Sequence, residues 1–456
     1  MTEPAHVIYD RLVHATFPTT RPVLFDTACV LGGSVAGSLA AAVLARFSRR
    51  VVVIERDETG TGGHPGVPHG QQLHVLLPSG RALIDRLLPG FTEMVLEAGA
   101  VLVAPRQQVS YIDNHPFPVV EDYPVLTATR PLLESSVRAL VLAHADVEMV
   151  RGRAVGLRYA DGGVAAVRYV DDNGEHTIPA DFVVDAMGAS SRLSAWLGED
   201  GYDQPAASRI PCDITYATAY FKRTGPAQEL PIAWSLSHHT SGNTALAGAI
   251  AIEDDQWSVS VSTYDGRLPE TVEEFRAACA TLPPVYGEAA SDAITRDILT
   301  FHKAHNIRRD FAGLRRFPAR LVGAGDSVAS FNPIYGQGMS SAALQAAALS
   351  EYLAGNPDLT LPATSFFERQ EVAVGAAWAT SAGSDAARAD AISGAEVPED
   401  VRQRRWAADQ IARASRRDET IARARRATAF MLAHPETLFD PAVLDRAVEI
   451  NAEPED

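Results

Sequence analysis

Cys29-Val30-Leu31-Gly32-Gly33-Ser34-Val35-Ala36-Gly37 is the stretch on which the fold of this chain turns. An apolar strand runs into a glycine turn, and the small-residue segment from Ser38 to Phe47 continues as a helix. A second apolar strand, Val51-Val52-Val53-Ile54, ends on Glu55, 23 positions after Gly32. Continuous apolar strands joined by a helix read as a βαβ unit from a parallel sheet buried on both faces. Gly32 permits the tight turn, and Gly37 lets the helix pack closely on the sheet. The small Ser34 leaves room for a pyrophosphate at the helix N-terminus, whose partial positive charge favours an anion. At the end of the second strand, the Glu55 carboxylate is placed to accept hydrogen bonds from ribose hydroxyls. Together these features predict a dinucleotide site.

Two more strand ends repeat the theme. Asp181-Phe182-Val183-Val184-Asp185 runs into Ala186-Met187-Gly188-Ala189-Ser190-Ser191-Arg192. Arg320-Leu321-Val322-Gly323-Ala324 runs into Gly325-Asp326-Ser327. Beyond it, Phe331-Asn332-Pro333-Ile334-Tyr335-Gly336-Gln337-Gly338-Met339 opens a small-residue helix, Ser340 to Leu349. Asp326 is placed to bind a hydroxylated, phosphorylated ligand, and the glycines allow backbone N–H groups to approach it. The three motifs are separated by about 150 and 140 residues, and recur at the ends of buried strands, where doubly wound folds bind ligands. They imply one large cofactor touched by three sequence-distant loops.

The texture between these motifs gives the organisation. Asp161-Gly162 and Asp172-Asn173-Gly174 read as hairpin turns. From 205 to 312 the pattern becomes period-two: Ile214, Tyr216, Thr218 and Tyr220 alternate, as do Trp257, Val259 and Val261. That predicts an antiparallel, substrate-binding sheet inserted into the nucleotide-binding domain. The expected fold is thus α/β, with a Rossmann-like domain over 27–204 and 313–350 and an inserted β-sheet domain over 205–312. A helical region follows over 351–456, and residues 1–26 form an N-terminal arm or lid.

Composition narrows the function. With 57 acidic residues against 40 basic ones, the net charge of −17 excludes a general nucleic-acid binder. Cys29, Cys212 and Cys279 are far apart and show no metal-ligand spacing. Reduced thiols, a first segment unlike a signal peptide and no apolar run of membrane-spanning length suggest a cytoplasmic protein. A small hydrophobic molecule is the expected partner, bound by a monomer or homodimer.

Taken together, these motifs resemble the FAD-dependent monooxygenases of the aromatic-hydroxylase type over roughly residues 27 to 430. Within that superfamily the chain is most similar to bacterial natural-product tailoring flavoproteins, including polyether epoxidases. Gly66-Val67-Pro68-His69-Gly70-Gln71-Gln72-Leu73-His74-Val75-Leu76-Leu77, Arg130-Pro131-Leu132-Leu133-Glu134 and Phe331 to Met339 carry the likeness. It implies that Gly32, Ser34 and Gly37 hold the FAD pyrophosphate and Glu55, with Arg56 beside it, the ribose. Arg130 and Arg138 would reach the phosphates, and Asp326 the ribityl chain or pyrophosphate. Pro333, Tyr335, Gly336, Gly338 and Met339 would run beside the isoalloxazine ring. No side chain need act as nucleophile, because in this family the reduced flavin itself activates dioxygen as a C4a-hydroperoxide. NAD(P)H would be a transient reductant. The expected pocket walls are Tyr216, Tyr220, Trp234, Trp257 and Phe331.

Two positions depart from the family pattern. Gln71 stands where relatives usually carry arginine, and Ala189 replaces another arginine in the second motif. Fewer cations near the cofactor leave a second function class open. In it FAD is structural and the inserted domain folds a linear polyene for a non-redox [4+2] cyclisation, as in related decalin-forming cyclases.

Overall fold

A computed structural model describes residues 3–17, 22–58, 67, 69–118, 120, 122–144, 146–224, 231–237, 245–264 and 266–453. Gly66 and Pro68 of the quoted motif lie outside the described residues, as do Met1, Thr2 and residues 18–21 of the N-terminal arm.

The glycine motif sits in the middle of a five-stranded parallel sheet. Its order is Leu321–Gly323, Phe182–Asp185, Phe25–Leu31, Ser48–Glu55 and Val147–Arg151. The strand carrying Gly32 at its end is therefore central, flanked by the strands that end in Asp185 and Glu55. Its Ala28 to Leu31 are all fully buried, as the unbroken apolar run requires. Helices Val35–Leu44, Arg130–Leu142 and Gly338–Ala354 pack together beside this sheet. A three-stranded meander, Arg153–Ala160, Gly163–Asp171 and Gly174–Pro179, turns at the two Asp/Gly positions and joins the same core.

The second large sheet has eight strands. Ala206–Lys222, Ile232–Leu236, Ala245–Ile252, Gln256–Thr263 and Ile294–Asp310 supply its centre. It extends beyond the 205–312 segment: Gln108–Ile112 adds in parallel to Ile232–Leu236, with His115–Phe117 outside it. At the opposite edge, Ala329–Ser330 pairs with Ile294–Asp310. Side chains alternate between its two faces, with register shifts where Ala206–Lys222 pairs with Ile294–Asp310. Ala217, Ala219, Phe221, Trp257 and Val259 form one core under the short helices Val272–Ala280 and Pro284–Ala289. Tyr216 and Tyr220 belong to different clusters on the opposite side, toward the parallel sheet.

That alternation corrects one expectation. Trp257 pairs with Phe221 and is 2% exposed among Phe221, Phe275 and Tyr286. It is core beneath the outer helices and not a pocket wall. The apolar residues of Gln256–Thr263 face that buried layer, and on the other face the Ser260 hydroxyl hydrogen-bonds with that of Thr218 at 3.1 Å.

The first helix, Ala5–Val13, is pinned to the body by buried Tyr9, Leu12 and Val13. The Tyr9 hydroxyl donates to the Met431 carbonyl at 3.1 Å. The 30-residue helix Thr364–Ser393 packs on Gly338–Ala354 and reaches the long strand Ala206–Lys222. Among the described residues, no helix is long and apolar enough to cross a membrane.

Candidate active site

Three strand ends meet at one place. Gly32 has φ +101°, and a Cβ there would lie 2.5 Å from the Ala186 carbonyl of the second motif. Gly37 backs onto the turn so closely that a Cβ would stand 1.8 Å from the Gly32 oxygen. Gly325 of the third motif, with φ +65°, packs against Ala36, where a Cβ would come within 2.5 Å of that side chain. The Ser327 hydroxyl donates to the Asp185 carbonyl at 2.7 Å. Only glycine satisfies these approaches and left-handed angles without strain.

Around the turn the polar groups are already oriented. Glu55 is buried, and its Oε2 accepts from the Gly33 N–H at 2.6 Å. Ser34 caps helix Val35–Leu44 by position but makes no side-chain bond to its first turn. Instead its hydroxyl donates to Glu134 Oε2 at 3.0 Å and accepts from Arg130 Nη2 at 3.3 Å. Arg138 Nη2 donates to Glu134 Oε1 at 2.7 Å, and Arg130 Nε lies 3.4 Å from Glu134 Oε2. Glu134 is 3% exposed and Arg138 7%.

Two guanidiniums thus share the Glu134 carboxylate beside a helix N-terminus, with the Glu55 carboxylate on the other side of the same turn. Both Arg130 Nε and Arg138 Nε are buried without a hydrogen-bond partner. Glycine turn, paired guanidiniums and buried Nε donors without a hydrogen bond fit a pyrophosphate, because buried donors without acceptors are costly. Asp326 stands half-buried at the third motif, and Arg56 is half-exposed beside Asp57.

Arg309, near the end of strand Ile294–Asp310, carries no motif of its own. Its Nη1 donates to the Ser327 carbonyl and its Nη2 to the Ala189 carbonyl, each at 2.9 Å. It therefore stitches the second motif to the third. Beside them, burial pushes the Asp185 carboxyl up to about 6, opposed by hydrogen bonds from Ser191 and Met187 and by the charge of Arg309.

The Pro333–Tyr335 turn leads through Gly336, at φ +66°, and Gln337 into helix Gly338–Ala354, whose N-terminus has no side-chain cap. Gly336 packs on Val75. Pro333, Tyr335 and Gly336 are half-buried, Gly338 is exposed and Met339 buried. The inner face of the eight-stranded sheet closes on this loop and on the Val67–Leu77 segment. Tyr216 donates to Asn332 Oδ1 at 2.6 Å, and Tyr220 to the Gln71 carbonyl at 2.7 Å. Thr218 donates to Gln72 Oε1 at 2.6 Å. Trp234 is half-buried and packs against the main core, and Phe331 is 7% exposed.

His69 and His74 stack here, with ring centroids 5.6 Å apart, and His69 also meets Phe301. Burial lowers the His69 imidazole to about 3, helped by the charges of Arg130 and Lys303. His74 is held well below its usual range for the same first reason, despite a 2.8 Å contact between its Nδ1 and the Gln72 carbonyl. Both imidazoles are neutral at pH 7.

A Rossmann-like sheet with an arginine-lined glycine cradle and a second sheet closing over its ring end defines a class. A family model described as the FAD binding domain matches residues 26–356, and the chain belongs to that family. Among named relatives, Protein Rv3254 of Mycobacterium tuberculosis (strain ATCC 25618 / H37Rv) is 33% identical over 352 residues, 72% of this chain and 73% of that protein. The fold is similar to that of p-nitrophenol 4-monooxygenase PnpA from Pseudomonas putida DLL-E4, at TM-score 0.61 and 16% identity, covering 96% of this chain and 100% of that one. It is also similar to the Diels-Alderase PyrE3 of the pyrroindomycin pathway, at TM-score 0.58 and 14% identity, covering 89% of this chain and 80% of that one.

Proposed function

We propose that this protein is an FAD-dependent monooxygenase that hydroxylates or epoxidises a small hydrophobic, polyketide-like metabolite, with NAD(P)H as transient reductant. The observation that carries the reading is the convergence of the three strand-end motifs with Arg130 and Arg138 at one turn. A groove for the rest of the cofactor and the substrate would run from there to the uncapped N-terminus of helix Gly338–Ala354 and the Tyr216–Tyr220 face of the second sheet. Gly32, Ser34, Gly37 and the two arginines would hold the pyrophosphate, Glu55 with Arg56 the ribose, and Asp326 the ribityl chain or pyrophosphate. Bound and reduced, FAD supplies the activation of dioxygen.

The chain's own residues do the rest. The Gly338 N-terminus offers backbone N–H groups where negative charge on a reduced ring would develop. Pro333, Tyr335, Gly336 and Met339 shape the ring-side wall. Tyr216, Tyr220, Trp234 and Phe331 present a largely apolar surface that keeps water out and orients a hydrophobic substrate. The neutral His69 and His74 add polarity there without charge.

A non-redox, FAD-bound cyclase is the second reading. It is favoured by the absence of cationic side chains at Gln71 and Ala189 and by the fold shared with a Diels-Alderase. There the same groove would act through proximity and orientation alone.

One experiment separates the two. The purified FAD complex is mixed anaerobically with NADH or NADPH and then exposed to oxygen with a polyene or aromatic substrate. Bleaching of the flavin followed by oxygen uptake and a product heavier by one oxygen atom supports the oxygenase. A product isomeric with its substrate, formed while the flavin stays oxidised, overturns it in favour of the cyclase.

A further inference from the structure

Helix Thr364–Ser393 lies beyond the segment that the family model matches, yet it carries a buried carboxylate into the active-site wall. Asp385 is 3% exposed. It accepts from Asn306 Nδ2 at 2.7 Å, from Asn332 Nδ2 at 3.1 Å to each oxygen, and from the Tyr264 hydroxyl at 3.3 Å. An ionised carboxylate can only accept hydrogen bonds. Both asparagines, each 0% exposed, must therefore turn their NH2 groups toward it and their carbonyl oxygens away.

The consequences run into the ring-side loop. Asn306 Oδ1 is left to accept from the Asn332 backbone N–H at 2.6 Å and from the Ser381 hydroxyl at 3.0 Å. Asn332 Oδ1 is left to accept from the Tyr216 hydroxyl at 2.6 Å and from the Ile334 N–H at 3.2 Å. Each amide is thus held from two sides, its NH2 by Asp385 and its oxygen by a backbone N–H of the loop.

We propose that Asp385 is a positioning residue for the loop from Phe331 to Gln337. From outside the family segment, it fixes the Asn332 amide, the backbone that follows and the Tyr216 hydroxyl on the substrate sheet. The inference rests on the reading of this loop as the flavin-ring wall. An Asp385→Asn substitution keeps shape but offers one donor and one acceptor where two acceptors are needed. Its NH2 then faces the Nδ2 of at least one asparagine; if Asn306 turns over the Asn332 N–H loses its acceptor, and if Asn332 turns over the Ile334 N–H does.

The test compares wild type, Asp385→Asn and a control on the same helix, Asp390→Asn, whose partner is Arg405 at 2.6 Å near the surface. Each is assayed for FAD dissociation constant by flavin fluorescence, for the fine structure of the visible flavin band, and for melting temperature. Asp385→Asn is expected to bind FAD about tenfold more weakly, as the loss of one buried charged hydrogen bond implies. Its flavin band should be altered, and Asp390→Asn should match wild type. A variant that melts lower yet keeps the wild-type dissociation constant and band shape overturns the proposal, since Asp385 would then only fasten the helix. Should Asp385→Asn not fold, Tyr216→Phe removes one hydroxyl from the same web; an altered band supports the proposal and an unchanged one overturns it. Failure of the wild type itself to bind FAD defeats the flavin reading first, and the positioning role falls with it.

Discussion

Gly37 and the arginine pair show how far single residues decide this site. A Cβ on Gly37 would stand 1.8 Å from backbone, which no rotamer relieves. Gly37→Ala should cost about 1–3 kcal/mol of stability, as overpacking does. The protein should also lose most of its FAD, both read from thermal melts and the flavin content of purified protein. Arg138→Met keeps most of the side-chain volume but leaves the buried Glu134 with Arg130 alone. Removing one partner of a buried ion pair costs about 3–5 kcal/mol. FAD affinity should fall at least tenfold, since a hydrogen bond to a charged group contributes about 1.5–3 kcal/mol; flavin fluorescence titration checks it. The turn at Gly32 and Gly37 was legible because such close approaches admit few residue types. Arg309 was not, since its neighbours Ala189 and Ser327 are distant in sequence and a charged strand end has no signature of its own.

At the scale of elements, the eight-stranded sheet shows both the power and the ambiguity of period-two patterns. Alternation in Ala206–Lys222 and Gln256–Thr263 identifies the strands, but it does not say which face meets the cofactor. Large apolar residues suggest a pocket, whereas a sheet with two covered faces buries them under its outer helices as readily. Trp257→Ala should therefore cost about 3–5 kcal/mol as a core truncation. It should leave the KM for a hydrophobic substrate near the wild-type value, while Trp234→Ala raises it; steady-state kinetics on the stable fraction distinguishes them. The His69–His74 stack adds a pH signature. With its folded value near 3 against about 6.5 when unfolded, His69 stays neutral in the native state while the unfolded chain takes up a proton. Stability from this residue is complete above about pH 6.5 and is lost as pH falls toward 3, by about 1.4 kcal/mol per unit at most. Asp185, raised to about 6, acts in the opposite sense. Denaturant melts of wild type and His69→Gln at pH 7.5 and pH 5 should thus differ in slope, the variant losing less on acidification.

For the whole molecule, the sequence showed the parallel sheet and the inserted sheet because each has its own periodicity. It hid how the ends of the chain close around them. Asp385, Ser381 and Arg388 lie on one side of an alanine-rich helix, a buried polar stripe that has meaning only once Asn306 and Asn332 are known to face it. Residues before the first strand could equally be read as a lid or a strap. Helix Ala5–Val13 packs on helices Gly338–Ala354 and Thr364–Ser393. Its Arg11 pairs with Glu351 at 3.1 Å, near the end of Gly338–Ala354 remote from the ring-side loop. Arg86 donates to the Val13 carbonyl on the same side. These contacts hold the end of helix Gly338–Ala354 that lies away from Gly338. Tyr9, Leu12 and Val13 each bury a side chain whose transfer is worth about 1.5–3 kcal/mol, partly offset by the chain entropy regained when the helix is gone. Deleting residues 1–17 should therefore lower the melting temperature by several degrees, while kcat and the substrate KM measured well below that melt stay near wild type. A truncated protein that keeps its melting temperature but loses turnover, or consumes NAD(P)H without making product, would show that the segment closes the active site after all.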